Sequence, residues 1–563
     1  MVVELRQMTV DVGNNERSIG VHQFEALRAP AKKITTPTLL LFDARRVSEE
    51  GKSEGFDGPL ADIPDTQLNK LLGMSGEASS GKSPINAVWI NGIFAPSAAA
   101  REDSLRYISE YQRSHSELTI DDVVASPFAI TDGHEKLDPQ VASNWQNFDK
   151  FVDRLHKRGV KVLLDFVPNH VALDNEWTQT HPEYLIQATE QQVQERPENF
   201  IEKVDENGEK KWFARGKEKL VDGSEVLWTD TLQLNWANPE LQNEMQRILL
   251  FLLDHSDGLR VDTAVLPNPR EFIRTWNEHL SEEEKENLLK NSFWSKTIPE
   301  LKRNARQGGK EITFIGEVMR GDTEKDGGTQ EVHEIFDGVY DIDYYNVSRE
   351  VIYGQREVEG LKGLLIQRYD RAATNKGAQH VLFVENNDQA RALPKYGREG
   401  SFAAAVVAAA VPGTIWMMQH GQDEGRKIAL PMQAKRFFPE IPDRELQNSY
   451  AELLRIRNSR LVQEGESSLV SVSPSHEDNS SSRAIIAQKK EIPGEGGMVL
   501  CTNMDGGVSD GRITLPEGVK DVSVYDLNKA TWLSKDVIDT TQNAGRFYVK
   551  LEPWHTQIVY YDF

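Results

Sequence analysis

Residues 143–170 read SNWQNFDKFVDRLHKRGVKVLLDFVPNH, and the fold turns on them. Trp145, Phe148, Val152 and Leu155 recur at three- and four-residue spacing, which puts them on one face of a helix. Gly159 stops that helix. VKVLLDFV (160–167) follows at once, a short apolar run with β-branched residues that reads as a buried strand. Helix, glycine stop and buried strand form the rhythm of a parallel β/α architecture.

The rhythm recurs on both sides. Upstream, TPTLLLFDARRV (36–47) and INAVWINGIF (85–94) read as buried strands, parted by a Gly/Ser/Lys-rich loop near 74–84. Residues 99–122 carry many charges and read as an excursion, and residues 1–35 as polar and irregular. Downstream, NPELQNEMQRILLFLLDH (238–255) offers Asn238 as N-cap and Pro239 at the first helical position. DGLRVDTAV, EITFIGEV (311–318), AQHVLFVEN (378–386) and TIWMMQ (414–419) read as further strands, and 401–411 as a helix. EEEKENLLKN (282–291) reads as a charged, solvated helix. From 171 to 237 the rhythm stops, as an inserted subdomain would make it. After 462, GGMVLCTN, GRITLP, VSVYDL, GRFYVKL and TQIVYY are short alternating runs of an antiparallel β module.

Composition narrows the function. The 563 residues carry a net charge of −23, which repels phosphate backbones and anionic headgroups and points away from nucleic acid and membrane surfaces as partners. The longest apolar stretch, FAAAVVAAAVPGTIWMM (402–418), is broken by Pro412 and Gly413 and reads as a buried helix followed by a strand. Cys501 is the only cysteine, so an intramolecular disulfide and a cysteine-based metal site are excluded. Glu4, Arg6 and Asp11 interrupt the apolar core that a secretory signal needs, so a reducing, cytoplasmic location is expected.

Three carboxylates lie at or near the ends of predicted strands: Asp262 in GLRVDTAV, Glu317 in FIGEVM and Asp388 in FVENNDQAR. In a closed parallel barrel these ends face the active-site mouth. Arg260, two residues before Asp262, points to the same side of its strand and should keep Asp262 ionised as a nucleophile. Glu317 follows an apolar run, where desolvation raises a carboxyl toward the range of a general acid. Two carboxyls in opposite environments are the chemistry of glycoside cleavage with retention. His170, at the end of DFVPNH, reads as a structural histidine or as a donor to a sugar hydroxyl. No HExxH, Walker A or GxSxG motif is present.

These residues resemble glycoside hydrolase family 13, the α-amylase family. VLLDFVPNH (162–170), GLRVDTAV (258–265), FIGEV (314–318) and FVENNDQ (383–389) resemble its four conserved regions in order and spacing. AVWINGIF, ASPFAI, WTDTLQLNWANPE, VPGTIWMMQHGQDEG and the C-terminal LEPWHTQIVYYDF add to the likeness. The resemblance implies a (β/α)8 TIM barrel with a small domain inserted after the third strand and a C-terminal antiparallel β-sandwich. The expected boundaries are 1–170 for the N-terminal part of the barrel, 171–237 for the insertion, 238–462 for the rest of the barrel and 463–563 for the sandwich.

By position, Asp262 would be nucleophile, Glu317 acid/base and Asp388 the residue gripping hydroxyls of the distorted sugar, with Arg260 and His170 assisting. Two positions depart from the family pattern. Asn387 stands where the family usually has His. Phe128 stands where it usually has a Tyr that stacks on the sugar, while Asp132, four residues on, is kept. Asn169 matches a position that binds structural calcium in many members. An asparagine that closes the strand by hydrogen bonding is an equal reading of it. No organic cofactor is implied. The substrate implied is an α-glucan or oligosaccharide, with water or a second sugar as acceptor. A glucan-binding protein without catalysis is the remaining alternative.

Overall fold

The computed structural model describes residues 36–74, 81–204, 208–220, 222–321, 327–374, 376–534 and 545–563. The segment expected to be irregular, 1–35, lies outside them. Eight parallel strands close into a barrel: β1 (Thr38–Asp43), β2 (Ala87–Asn91), β3 (Lys161–Phe166), β4 (Gly258–Val261), β5 (Thr313–Gly316), β6 (Gly338–Tyr340), β7 (Gln379–Leu382) and β8 (Ile415–Gln419). Closure pairs β1 with β8, Thr38 opposite Trp416. Alternation along each strand makes two cores. Leu39, Leu41, Trp89, Leu163, Ile315, Val381 and Met417 fill the barrel. Leu40, Phe42, Val88, Val162 and Leu164 face the surrounding helices.

Seven of the eight strands are legible in the sequence. The exception is β6, whose three residues, Gly-Val-Tyr, are too short to show a period. At Gly258 a side chain would run into the Thr313 carbonyl of the neighbouring strand, so β4 and β5 can approach only over a glycine.

The helix expected at 143–158 spans Trp145–Lys157, with Asn144 capping it through the Asn147 amide and Arg154, His156 and Lys157 in its last turn. Its buried face is Phe148, Phe151, Val152 and Leu155, while Trp145 is half-buried against Phe148 and Phe251. Each such buried side chain contributes about 1.5–3 kcal/mol. The helix expected at 401–411 begins earlier, spanning Ala392–Ala409 across a kink at Gly397. With β8 it accounts for the long apolar stretch. Among the described residues no helix is long and apolar enough to cross a membrane.

Between β3 and the helix Pro239–Asp254 the chain builds a four-stranded antiparallel sheet from His170–Ala172, Glu225–Gln233, Lys210–Lys219 and Phe200–Val204, in that order. Beyond the barrel, strands from Glu466 to Asp562 form a six-stranded and a three-stranded antiparallel sheet. Ile485, Val499 and Val559 of the first meet Ile513, Phe547 and Val549 of the second in one core.

Candidate active site

The strand ends gather the acids. Asp262 and Glu317 are the first residues past β4 and β5, and Asp388 lies in the loop after β7. Arg260, on β4 and 1% exposed, is their common partner. Its Nη1 donates to Asp262 Oδ1 at 2.7 Å and to Asp165 Oδ1 at 3.3 Å. Its Nη2 lies 2.6 Å from Glu317 Oε1, out of hydrogen-bonding line, so that contact is Coulombic. The rings of Trp89, Phe128 and Tyr340 surround the guanidinium, 4.6, 5.2 and 5.7 Å from its carbon. Thr263, with φ 42°, adopts a conformation that costs a non-glycine residue energy, and its N–H donates to Glu317 Oε2 at 2.9 Å.

One guanidinium cannot neutralise this many carboxyls. Burial pushes Glu317 up to about 7, helped by the Asp262 charge and opposed by Arg260 and the Thr263 N–H. Burial pushes Asp165 up to about 7 as well. Asp262 is also raised by burial, against the opposition of Arg260. The arginine therefore does not by itself hold Asp262 at an ordinary value, because removing a carboxylate from water outweighs one hydrogen-bonded cation here. Each of the two carboxyls responds to the other, Glu317 being raised by the Asp262 charge, so a proton taken up here belongs to the pair. Asp388 is pushed up to about 7 by the protein atoms around it and by Glu317, although it remains open to solvent at the mouth. Such a cluster takes up a proton near neutrality.

The remaining predicted residues divide. His170 is 5% exposed, burial pushes it down to about 4, and its neutral ring lies 5.1 Å from that of Trp228. Phe128 joins the site through its ring over Arg260. Asn387 donates through Nδ2 to Asp388 Oδ1 at 3.0 Å, which commits one of its two N–H groups to the carboxylate. Asp132 braces its own loop: its Oδ1 accepts from Glu135 N at 3.3 Å, and its Oδ2 faces Lys136 Nζ at 3.6 Å. Asn169 is buried, and its Oδ1 accepts from Gln233 Nε2 at 3.2 Å. That bond favours the strand-closing reading. Among the described residues no group of three or more His, Cys, Asp and Glu could hold a metal, and the Asn169 oxygen that a calcium would take already accepts from the Gln233 amide.

Sequence reasoning did not single out Asp165, Trp89, Tyr340 or Thr263. Asp165 carried a signal, a charge in the middle of an apolar strand. The aromatics read as ordinary core. It also passed over Arg320, three residues beyond Glu317. The Arg320 guanidinium pairs with Glu271 Oε2 at 2.8 Å, on the helix Pro269–Trp276, and with Glu218 Oε1 at 3.1 Å, in the insertion. The loop after the acid is thereby tied to the inserted sheet.

A family model described as alpha amylase, catalytic domain, matches residues 86–427. An alpha-glucosidase of Saccharomyces cerevisiae is 23% identical over 334 residues, 52% of this chain and 54% of that protein. An oligo-1,6-glucosidase of Heyndrickxia coagulans is 23% identical over 359 residues, 57% of this chain and 60% of that protein. The chain thus spans about half the length of the curated relatives it matches. Among solved structures, a maltogenic alpha-amylase of Thermotoga neapolitana superposes with a TM-score of 0.61 at 19% identity, over 94% of this chain and 99% of that one, a likeness of fold.

Proposed function

The chain belongs to the alpha-amylase family, and from that premise we propose that it is a glycoside hydrolase cleaving α-glucosidic bonds in α-glucans or oligosaccharides with retention of configuration. Glu317, protonated, gives its proton to the glycosidic oxygen as the bond to the anomeric carbon breaks. Asp262 attacks that carbon and forms a glycosyl ester. Glu317, now a carboxylate, takes a proton from water, whose oxygen displaces Asp262. Asp388 holds ring hydroxyls, and Arg260 fixes the nucleophile's Oδ1 so that Oδ2 faces the substrate.

The observation that carries this reading is the single guanidinium shared by Asp262 and Glu317, with Glu317 raised to about 7. The test is a panel of maltooligosaccharides and disaccharides, with the anomer first released read by NMR. The α-anomer is expected, and a β-anomer would overturn retention. Longer oligosaccharides among the products would reassign the acceptor from water to sugar, and no turnover on any α-glucan would leave a binding protein.

A further inference from the structure

We propose that Gln233 is a built-in substitute for a divalent cation where the insertion joins the barrel, and that the single change Gln233→Asp turns this junction into a calcium site. The chain leaves β3 through Val167, Pro168, Asn169 and His170 and returns through Gln233 and Leu234. Leu234 N donates to the Asn169 carbonyl at 3.1 Å, and Trp236 Nε1 to the Pro168 carbonyl at 2.9 Å. Between the outgoing and returning strands, three oxygens converge on one nitrogen. Gln233 Nε2 lies 2.9 Å from the Asn169 carbonyl oxygen, 3.2 Å from Asn169 Oδ1 and 3.1 Å from the Leu234 carbonyl oxygen.

Two carbonyls and one carboxamide oxygen facing a common point are ligands of the kind a hard cation takes. Buried oxygens require a donor or a positive charge among them. Here the donor is a neutral amide, on a side chain with no measurable exposure, beside an Asn169 that is 1% exposed. The amide can face only one way. Turned over, its oxygen would meet three others. Gln233 Oε1 makes no hydrogen bond to the protein, so all the polar contacts of this side chain run through the nitrogen. The position matters to the mouth because Gln233 is the strand partner of His170. A covalently attached donor therefore holds the start of the insertion, where an exchangeable ion would make it depend on solution conditions.

The test uses the full chain and reads stability and cation binding, independently of any activity. Wild-type protein is melted after exhaustive chelation and again with millimolar calcium, and calcium is titrated calorimetrically. The Tm should be the same in both conditions, with no heat of binding. A wild-type Tm that falls on chelation and returns with calcium overturns the proposal. Gln233→Asp should melt several degrees lower than wild type in chelator and recover with calcium, with a measurable binding heat. Magnesium, which demands shorter and stricter octahedral geometry, should not replace calcium. A folded Gln233→Asp that ignores calcium refutes the second half. Gln233→Met removes the donor and supplies no ligand, so it should lose stability equally with and without calcium. Rescue of that variant by calcium would mean that the oxygens already form a cation site, and the proposal fails.

Discussion

Asp262 and Asp341 start from the same place and end differently. Each is the first residue after a barrel strand, β4 or β6, and each is buried beside an arginine. Asp341 has Arg368 in a two-pronged contact at 2.7 and 2.8 Å, has His380 at 3.3 Å, and caps the helix Ile342–Ile352 through the Tyr344 amide. Burial raises its pKa, but His380 and Arg368 outweigh that, and the net shift is downward. Around Asp262 one arginine serves Asp165, Asp262 and Glu317, and the shifts run upward. Position at a strand end does not separate a structural carboxylate from a chemical one. Between these two, the balance of burial against neighbouring positive charge does.

Asp262→Asn should produce the largest effect, a loss of turnover by several orders of magnitude with the fold intact, since an amide cannot form the glycosyl ester. Sugar release and thermal melting measured together check it, and wild-type turnover would break the comparison on the catalytic side. Asp341→Asn should do the reverse. Removing one partner of a buried pair leaves a charge uncompensated and costs about 3–5 kcal/mol of stability, read by denaturant unfolding. Activity per folded molecule should barely change.

The two clusters should also respond oppositely to pH. Glu317 is raised from 4.5 to about 7, so across that window the folded state binds more protons than the unfolded chain, and stability falls as pH rises. Asp165 acts in the same direction. Asp341, lowered from 3.8, contributes stability that is present above that value and lost as pH falls through its folded pKa. Melting curves across pH should show the first slope, and Glu317→Gln should flatten it. The same proton loss sets the alkaline limb of kcat/KM near 7.

Asn387→His should give the smallest effect. A histidine there offers a donor that becomes charged near pH ~6.5, and a hydrogen bond of this kind is worth on the order of 1 kcal/mol, about fivefold in turnover on a plain α-1,4-glucan. If the pocket is adapted to another sugar, the change lowers activity on that substrate instead. Identical kinetics on every substrate would remove position 387 from the site.

Much of this was open to reading in one dimension, and the exceptions have physical causes. Strand ends show as apolar runs stopping at a charge, which is why Asp262 and Glu317 stand out, with Asp388 close beyond such an end. Trp89 and Tyr340 do not, because an inward aromatic on a barrel strand looks the same whether it packs against leucine or against a guanidinium. Asp165 was visible, but its meaning depends on Arg260, far away in sequence and adjacent only once β3 and β4 pair. The upward shift of Asp262 could not be foreseen from Arg260 at i, i+2. It depends on burial and on how many other acids share that arginine.

The contact of Arg320 with Glu218 bears on how freely such a chain can be recombined. An inserted domain invites exchange, since both its ends leave and return at one edge of the barrel. Here the insertion also contributes a counter-ion to the loop that follows Glu317, so a transplanted insertion without an acid at that point would remove one of the carboxylates that hold Arg320. Exchanging this insertion therefore also disturbs the loop after Glu317, and a swap made to change substrate range should supply an acid to face Arg320.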